Sequence, residues 1–306
     1  MKRVGEMSSG SWKKQDAASY DEDVARHYDH WIAQLSDPMA QHLCRVSQLR
    51  PNQHVLDVGC GSGVGTRAAA RCVGQQGSVV GIDLSEGMLE AARQNEGNSA
   101  NITYLAMDAE RLDFAPETFD NVVSLCAVSH FPEIGNALKQ MARVLKPGGH
   151  LVVSYGYARP INPMKLASYL IQRIAQRLNG FRPTLQAPGS LESVVTRHMV
   201  TSVEDIAPNW ALNKPYRHLL NQMRHIGLHG LERSWCGHEF RFTTPEEFLE
   251  AQLAISTNVR KQLRVLSTTQ VESIKAEYLS LASDVLARGG QLVYPYGAQF
   301  ITGTKR

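Results

Sequence analysis

The 306-residue sequence lacks both the long apolar runs and the strong excess of one charge that would assign it to a membrane or to a nucleic acid. It contains no run of 18 or more apolar residues, so we do not expect a membrane-spanning helix. The opening segment Met1–Glu6 has no apolar stretch of the kind that a secretory signal needs. Lys and Arg number 32 and Asp and Glu 29, and the resulting net charge of +3 is too small for a dedicated nucleic-acid-binding protein.

Cysteine is scarce and scattered, which excludes a disulfide framework. The five cysteines are odd in number, and no two are spaced as Cys-x-x-Cys. We therefore expect free thiols, packed as small apolar side chains, in a protein of the reducing cytoplasm. The 11 histidines form neither a His-Glu-x-x-His motif nor a zinc-binding pattern with cysteine, so no metal site is predicted.

Strand and helix patterns alternate through the first half of the chain. Apolar runs predict strands at His54–Val58, Ser78–Ile82, Ile102–Ala106, Phe119–Cys126 and Leu151–Tyr155, with a last strand near Gln299–Thr302. Strands separated by helices predict an α/β fold with a doubly wound, mostly parallel sheet and helices on both faces. We expect one structural domain with four segments: a tail and lid helices (1–50), an α/β core (51–156), a helical cap insertion (157–213) and a segment that completes the sheet and adds cap helices (214–306).

Several predicted helices begin at recognisable capping residues. A helix is predicted from Asp21 to Leu35, after which Asp37 and Pro38 supply the N-cap and the first-turn proline of a second helix. The other predicted N-caps are Ser85, Thr244 and Thr269, the last with Glu272 as its capping-box partner.

The most informative segment is Val55–Gly65, in which an apolar strand leads into a glycine loop and then into a helix. Glycine permits the tight turn and lets a ligand approach the backbone. The loop lacks the Lys-Ser/Thr ending of a P-loop, and Val64 or Thr66 stands where Gly-x-Gly-x-x-Gly requires its third glycine. Nucleoside triphosphates and dinucleotides are therefore disfavoured, and a plain tight turn remains the alternative to a binding loop.

Two acids follow the next two strands in positions that suit a nucleoside. Asp83 ends the second strand about 20 residues beyond the loop, where a carboxylate accepts hydrogen bonds from both ribose hydroxyls. The alternative is that Asp83 is a solvated acid that caps the next helix, but Ser85 already suits that role. Asp108 follows the third strand and offers an acceptor for the exocyclic amine of an adenine. These residues indicate a nucleoside cofactor without phosphates.

This set of motifs resembles that of the class I S-adenosylmethionine-dependent methyltransferases, and in particular the branch of ubiquinone/menaquinone C-methyltransferases and natural-product methyltransferases. The motifs are Val55–Gly63, Gly81–Ser85, Met107–Glu110, Phe119–Asp120 and Arg143–Gly149, and they lie within residues 54–153, about a third of the chain. The N-terminal Tyr20-Asp21 and Tyr28–Trp31 are similar to the leading helix of that branch. The resemblance implies a Rossmann-like methyltransferase fold of seven strands, with residues 296–303 as an antiparallel edge strand, and S-adenosyl-L-methionine as the cofactor.

The resemblance also implies roles for individual residues. Gly59, Gly61 and Gly63 would line the methionine part of the cofactor, Asp57 would hold the loop or the cofactor's amino group through water, and Asp83 would bind the ribose. Met88 would pack near the adenine, and Asp108 and Ala109 would meet its edge. The full set of implied cofactor-binding residues is Tyr20, Tyr28, Asp57, Gly59, Cys60, Gly61, Gly63, Asp83, Leu84, Met88, Asp108, Ala109, Cys126 and His130.

His130 is the candidate catalytic base, because the branch places residues 126–131 beside the methyl group that is transferred. An imidazole titrates near neutral pH and is able to take a proton from a phenol, an amine or an acidic carbon. The alternative is that His130 only packs on the cofactor or caps the next helix. Tyr28 has two interpretations as well: part of a lid over the cofactor, or part of the apolar stripe of its own helix.

The acceptor is poorly defined by sequence. Residues 134–191 contain eight Lys and Arg and no Asp or Glu, and the predicted helix Met164–Leu178 pairs apolar residues with Arg173 and Arg177. This segment fits a contact with anionic lipid, an acidic acceptor or an ordinary solvated helix face. Aromatic residues that would line a pocket for a partly apolar acceptor are Trp210, Tyr216, Trp235 and Phe240.

We predict a cytoplasmic methyltransferase that acts on a small organic molecule, not on a nucleic acid. The Asn/Asp-Pro-Pro-Tyr/Phe motif of nucleic-acid amino methyltransferases is absent. The alternative function is that of a cofactor-binding protein of this fold without methyl transfer: a cyclase, a lyase or a partner subunit. The acceptor, the methylated atom and the oligomeric state stay open.

Overall fold

The computed structural model describes residues 22–97, 100–156, 183–187, 189–199 and 216–306. The strands are β1 (His54–Val58), β2 (Ser78–Asp83), β3 (Ile102–Ala106), β4 (Phe119–Ser124), β5 (Leu145–Gly156), β6 (Thr184–Gln186), β7 (Leu228–Phe242) and β8 (Gln291–Lys305). The helices are α1 (Glu22–Val46), α2 (Val64–Val73), α3 (Glu86–Gln94), α4 (Ile134–Val144), α5 (Gly189–His198), α6 (Tyr216–His225), α7 (Pro245–Ile255), α8 (Thr257–Leu263) and α9 (Thr268–Ala287). The predicted helix Met164–Leu178, together with Tyr20 and Trp210, lies outside the described residues.

The chain divides into two compact units. The first comprises Met1–Tyr157, Asn209–Cys236 and Ala298–Arg306, and the second comprises Ala158–Pro208 and Gly237–Gly297. The four-segment division drawn from the sequence stays a prediction.

The sheet of the first unit runs in the order β3-β2-β1-β4-β5-β8-β7. Its central strands pair in parallel: Leu56 lies opposite Val80 on one side and Val122 on the other. β8 reverses the direction, since Val152 of β5 pairs with Thr302 in an antiparallel register. The prediction of a mostly parallel seven-stranded sheet is confirmed. The antiparallel strand predicted from residues 296–303 is present as part of β8, but it is not the edge strand, because β7 pairs with it.

The core of the first unit lies between this sheet and the helices that cover it. The central strands β1 and β4 are buried on both faces, so burial does not alternate along them as it does in a half-exposed strand. Leu138 and Met141 of α4 are fully buried against the sheet cluster that contains Leu56 and Val153. Each such side chain contributes about 1.5–3 kcal/mol by leaving water, and this burial fixes the strand ends from which the site is built.

The predicted break at Asp37 and Pro38 is wrong, because α1 continues through both residues. Its buried stripe runs without interruption through Ile32, Leu35, Met39 and Leu43. A proline inside a helix costs about 3 kcal/mol, which burial of several of these side chains offsets. Asp37 is not an N-cap; its carboxylate accepts a hydrogen bond from Gln41 Nε2 at 2.7 Å within the same helix.

Two predicted N-caps are confirmed and one is displaced. Ser85 and Thr244 accept hydrogen bonds from the backbone N–H groups of Met88 and Glu247. The last long helix begins earlier than Thr269: Ser267 is its N-cap, and the capping-box partner is Gln270. Ser267 with Gln270 and Thr269 with Glu272 both have the residue types of a capping box, so the sequence alone allowed the helix to begin at either position.

Three predicted strand boundaries are also corrected. β5 starts at Leu145 and not at Leu151. β4 ends at Ser124 and not at Cys126, because Cys126 adopts a left-handed conformation with φ of 56° that a strand does not accommodate. The last strand starts at Gln291, well before the predicted Gln299. In the second unit, the first residues of β8 pair in parallel with β6: Thr184 lies opposite Gln291, and Gln186 lies opposite Val293.

The second unit is mainly helical and contains a buried polar contact. The hydroxyl of Tyr278, a fully buried residue of α9, accepts a hydrogen bond from Gln252 Nε2 at 2.6 Å and lies 2.8 Å from Ser190 Oγ. These bonds join α9 to α7 and α5. Among the aromatic residues predicted to line a pocket, Phe240 contacts the ring of His238 edge-on at 4.4 Å between ring centroids.

No helix within the described ranges is both long enough and apolar enough to cross a membrane.

Candidate functional site

The glycine loop joins β1 to α2 at the carboxyl edge of the sheet. Gly59, Gly61 and Gly63 all have positive φ values, between 53° and 83°, which only glycine adopts readily. A Cβ on Gly59 would collide with Ala127, and one on Gly63 would collide with the Tyr104 hydroxyl. Gly61 differs, because no atom of the described ranges lies within 4 Å of the place where its Cβ would be. The loop therefore packs tightly at both ends and is open in the middle.

The amide hydrogens of this loop are largely used within the chain. Gly59 and Cys60 both donate to the carbonyl of Ile82, at 2.8 and 2.9 Å, and Gly63 donates to the carbonyl of Cys60 at 2.9 Å. Gly61 donates to Asp83 Oδ2 at 2.9 Å. Four of the five loop amides thus have partners in the protein itself, and the loop is not the outward-facing amide cluster that holds a phosphate.

Asp83 lies at the end of β2 and is fixed by the backbone on both carboxylate oxygens. Oδ1 accepts from the Ser85 N–H and Oδ2 from the Gly61 N–H, each at 2.9 Å. Burial raises the pKa of Asp83, and these N–H groups and the nearby His130 oppose the shift. Each oxygen keeps a further lone pair, so the carboxylate is able to accept two more hydrogen bonds.

Asp57 is the second acid of the site and is almost completely buried, at 1% exposure. Its Oδ2 accepts a hydrogen bond from Thr66 Oγ1 at 2.7 Å, whereas Oδ1 has no hydrogen-bond partner among the described residues. Burial raises the pKa of Asp57 to about 7, against the opposing hydrogen bond from Thr66, and the charge of Asp83 adds to the increase. A buried carboxylate oxygen without a donor suits a water molecule or a ligand that carries N–H groups.

The raised pKa of Asp57 predicts how stability changes with pH. Between about pH 4, the ordinary value, and about pH 7, only the folded state keeps the proton, so the free energy of unfolding falls as the pH rises. Urea unfolding of the wild type and of Asp57→Asn at pH 5 and pH 8 measures this. We expect the wild type to lose about 2–4 kcal/mol relative to the variant over that interval, at roughly 1.4 kcal/mol per pKa unit. Parallel pH profiles of the two proteins would contradict the assignment.

Asp108, the acid predicted to meet the adenine, follows β3, and β3 pairs with the strand that ends at Asp83. Asp108 Oδ1 accepts from the Glu110 N–H at 2.9 Å, and the preceding residue, Met107, donates its N–H to the Asp83 carbonyl at 3.0 Å. The structure thus places the predicted ribose and adenine acids on adjacent strands. Further buried residues of the set are Cys60, Met88 and Ala109, whereas Leu84 is 45% exposed.

Tyr28 and Met88 are brought together. Tyr28, on α1, packs partly buried against Met88 and Ala91 of α3. This contact is compatible with both interpretations of Tyr28. Met88 is part of the apolar packing between the two helices, and it is also the residue predicted to pack near the adenine.

Cys126 and His130 lie on the segment after β4, which closes over the glycine loop. The Cys126 N–H donates to Ser154 Oγ at 2.9 Å, and residues Val128–His130 form a short 3₁₀ turn. Burial raises the pKa of the Cys126 thiol to about 11, so this thiol is neutral near pH 7 and is a poor nucleophile. His130 is the side chain of this segment that is suited to proton transfer, and it lies close enough to Asp83 to influence the pKa of that carboxyl.

Two residues of the site were missed by sequence reasoning. In the sequence, Thr66 was considered only because it stands where a dinucleotide-binding motif would have its third glycine. In the structure its hydroxyl donates a hydrogen bond to Asp57. Ser154, within β5, holds the backbone at Cys126. Neither residue belongs to a recognisable motif, although Thr66 follows the loop closely enough for a first-turn hydroxyl to have been considered. Within the part of the chain that the structure describes, no three His, Cys, Asp or Glu side chains are grouped as metal ligands.

Comparison with known proteins gives a consistent result. The family model described as "Methyltransferase domain" matches residues 55–149. The chain is 33% identical over 178 residues to aklanonic acid methyltransferase DauC of Streptomyces sp. (strain C5). The aligned region covers 56% of this chain and 80% of that protein. It is 32% identical over 162 residues to a demethylmenaquinone methyltransferase of Staphylococcus epidermidis, covering 52% of this chain and 67% of the relative.

The fold has solved counterparts as well. Phosphoethanolamine N-methyltransferase 2 of Haemonchus contortus, in a complex with S-adenosyl-L-methionine, superposes with a TM-score of 0.55 at 19% identity, over 98% of this chain and 60% of that one. At this identity the likeness concerns the fold alone. The relatives in sequence, the matched domain and the glycine loop with its two acids together show that this chain belongs to the S-adenosylmethionine-dependent methyltransferases.

Proposed function

We propose that this protein transfers the methyl group of S-adenosylmethionine to a small, partly apolar organic acceptor of the phenol or quinol class. The observation that carries the acceptor class is the pair of sequence relatives, which are named for aklanonic acid and for demethylmenaquinone. Relatives named as methyltransferases also favour methyl transfer over the alternative of a cofactor-binding protein without it.

The residues around the glycine loop fit this cofactor. Gly61 leaves an open surface against which the methionine part of the cofactor would lie. Asp83 presents two fixed acceptors for the ribose hydroxyls. Asp57 Oδ1 is buried and has no donor among the described residues, so it would accept from the cofactor's amino group directly or through water. Asp108 and Ala109 would meet the adenine edge, and Met88 with Tyr28 would pack beside it. Leu84, Cys60, Cys126 and Tyr20 complete the proposed set.

When bound, S-adenosylmethionine supplies an electrophilic methyl group on a positively charged sulfonium. The chain's own contribution is alignment: Asp83 would hold the ribose, and the glycine loop would position the methionine part. The segment after β4 packs Ala127 over Gly59 and so holds His130 at the same edge of the sheet. His130 would accept the proton that a phenol or an acidic carbon loses as it is methylated.

Other sequence predictions remain proposals here. We infer a cytoplasmic location, which the five free cysteines support. The basic segment 134–191 is predicted from the sequence to contact anionic lipid or, alternatively, an acidic acceptor. Five of its eight Lys and Arg residues lie outside the described ranges.

Turnover with a panel of phenols, quinols and amines tests the proposal. The purified protein is incubated with S-adenosylmethionine and each compound, and S-adenosylhomocysteine and methylated product are quantified by mass spectrometry. We expect equal amounts of the two products with at least one phenol or quinol, and none when the acceptor is left out. Tight cofactor binding without S-adenosylhomocysteine from any compound would favour the function without methyl transfer, and turnover of amines alone would refute the acceptor class.

A further inference from the structure

One partly buried arginine contacts both the glycine loop and α1. Arg67, in the first turns of α2, donates through Nη1 to the carbonyl of Ser62 at 2.6 Å. Ser62 stands between Gly61 and Gly63 in the loop. The other terminal nitrogen, Nη2, lies 3.7 Å from Asp29 Oδ1 of α1. The side chains of Arg67 and Asp29 are only 16% and 13% exposed, so water screens this ion pair weakly.

Asp29 is held from a second side as well. Its Oδ2 accepts a hydrogen bond at 2.8 Å from Nδ2 of Asn95, the residue that caps the end of α3. The neighbouring Tyr28 packs on Met88 of the same helix. Asp29 therefore ties α1 to the two helices that follow the glycine loop and Asp83.

We infer that Arg67 is a positioning residue, which couples the docking of α1 to the conformation of the glycine loop and thereby sets the affinity for the cofactor. Guanidinium is suited to this because its planar fork presents separate N–H groups to the Ser62 carbonyl and to Asp29, whereas an ammonium acts as a single point charge. The inference rests on the proposed function, in that the loop is taken to hold S-adenosylmethionine.

The chain contains a matched control. Arg71, one turn further along α2, faces Asp37 of α1 at 3.9 Å, so it joins the same two helices. Those side chains are 64% and 49% exposed, and within the described part of the chain Arg71 makes no hydrogen bond to the loop. An exposed ion pair contributes little, so a variant at Arg71 reports the loss of a surface charge at nearly the same place.

The experiment compares Arg67→Gln, Arg67→Lys and Asp29→Asn with Arg71→Gln. Hydrogen–deuterium exchange of residues 59–63 is measured without any cofactor, and calorimetry gives the dissociation constant for S-adenosylmethionine. For Arg67→Gln we expect loop exchange about tenfold faster and affinity about tenfold weaker, with kcat at saturation within twofold. Arg67→Lys should restore less than half of either effect, and Arg71→Gln should match the wild type.

Asp29→Asn keeps an acceptor for Asn95 and removes only the charge, so it serves if Arg67→Gln fails to fold. We expect it to weaken cofactor affinity severalfold, and to add little when combined with Arg67→Gln. Loop exchange and affinity within twofold of the wild type in both variants would overturn the inference. Faster exchange with unchanged affinity would overturn the coupling to the cofactor, and absence of cofactor binding by the wild type would overturn the proposed site.

Discussion

Replacement of Asp83 by alanine is expected to weaken S-adenosylmethionine binding at least a hundredfold, or about 2.8 kcal/mol. The variant removes two acceptors for the ribose hydroxyls, and a hydrogen bond to a charged group contributes about 1.5–3 kcal/mol. It also releases the Gly61 N–H, which the carboxylate holds at 2.9 Å. Calorimetry with S-adenosylmethionine, S-adenosylhomocysteine and NADH measures the effect in the wild type and in the variant.

Two further variants sharpen this test. Asp83→Asn should also bind weakly, because an amide nitrogen would face one of the two N–H donors of Gly61 and Ser85. Asp284→Ala removes an exposed acid of α9 and should leave binding unchanged. Affinity of Asp83→Ala within threefold of the wild type would refute the ribose-binding role, and binding of NADH would favour a dinucleotide site.

Replacement of His130 by alanine is expected to lower kcat by about 10²–10⁴, the usual contribution of a general base. The dissociation constant for S-adenosylmethionine should change less than threefold, because the hydrogen-bond partners of Asp83 and the glycine loop stay in place. Single-turnover rates with an acceptor identified by the panel measure the effect. Added imidazole should restore part of the activity if the lost function is proton transfer.

The matched control for His130 is His54→Ala. His54 lies at the amino end of β1, where its ring contacts Ser78 Oγ at 2.6 Å, on the opposite edge of the sheet. That variant should keep kcat within twofold. Near-normal turnover of His130→Ala would leave His130 only a packing role, and a large loss of cofactor affinity would show that it holds the cofactor instead.

The fold was predictable where local pattern and tertiary burial agree. Buried parallel strands are short apolar runs bounded by turn residues, so β1, β2 and β3 could be placed within a residue or so of their ends. The break predicted at Pro38 failed because the rule for proline is local, whereas the stripe that keeps α1 continuous is buried by neighbouring elements. The early start of β8 is likewise set by pairing with β6, which is distant in sequence.

The candidate site divides in the same way. Gly59 and Gly61 lie just after β1, and Asp83 ends β2. The order of the sheet brings these strand ends to one edge, so the proximity of the three residues followed from spacing. The contacts of Asp57 with Thr66 and of Arg67 with Asp29 depend on how side chains meet across packed helices and strands. No periodicity or motif encodes such distances, and these contacts became visible only in the structure.

The hydrogen bonds inside the glycine loop have a consequence for selectivity. Because Gly59, Cys60, Gly61 and Gly63 donate to acceptors of the chain itself, an approaching phosphate finds these amides engaged and two carboxyl groups nearby. Abundant nucleotides such as ATP would therefore be rejected by charge, without any side chain in their path. A cationic ligand meets no such penalty, so the engaged amides of one turn and the acids beside it together would separate the two kinds of adenosine compound.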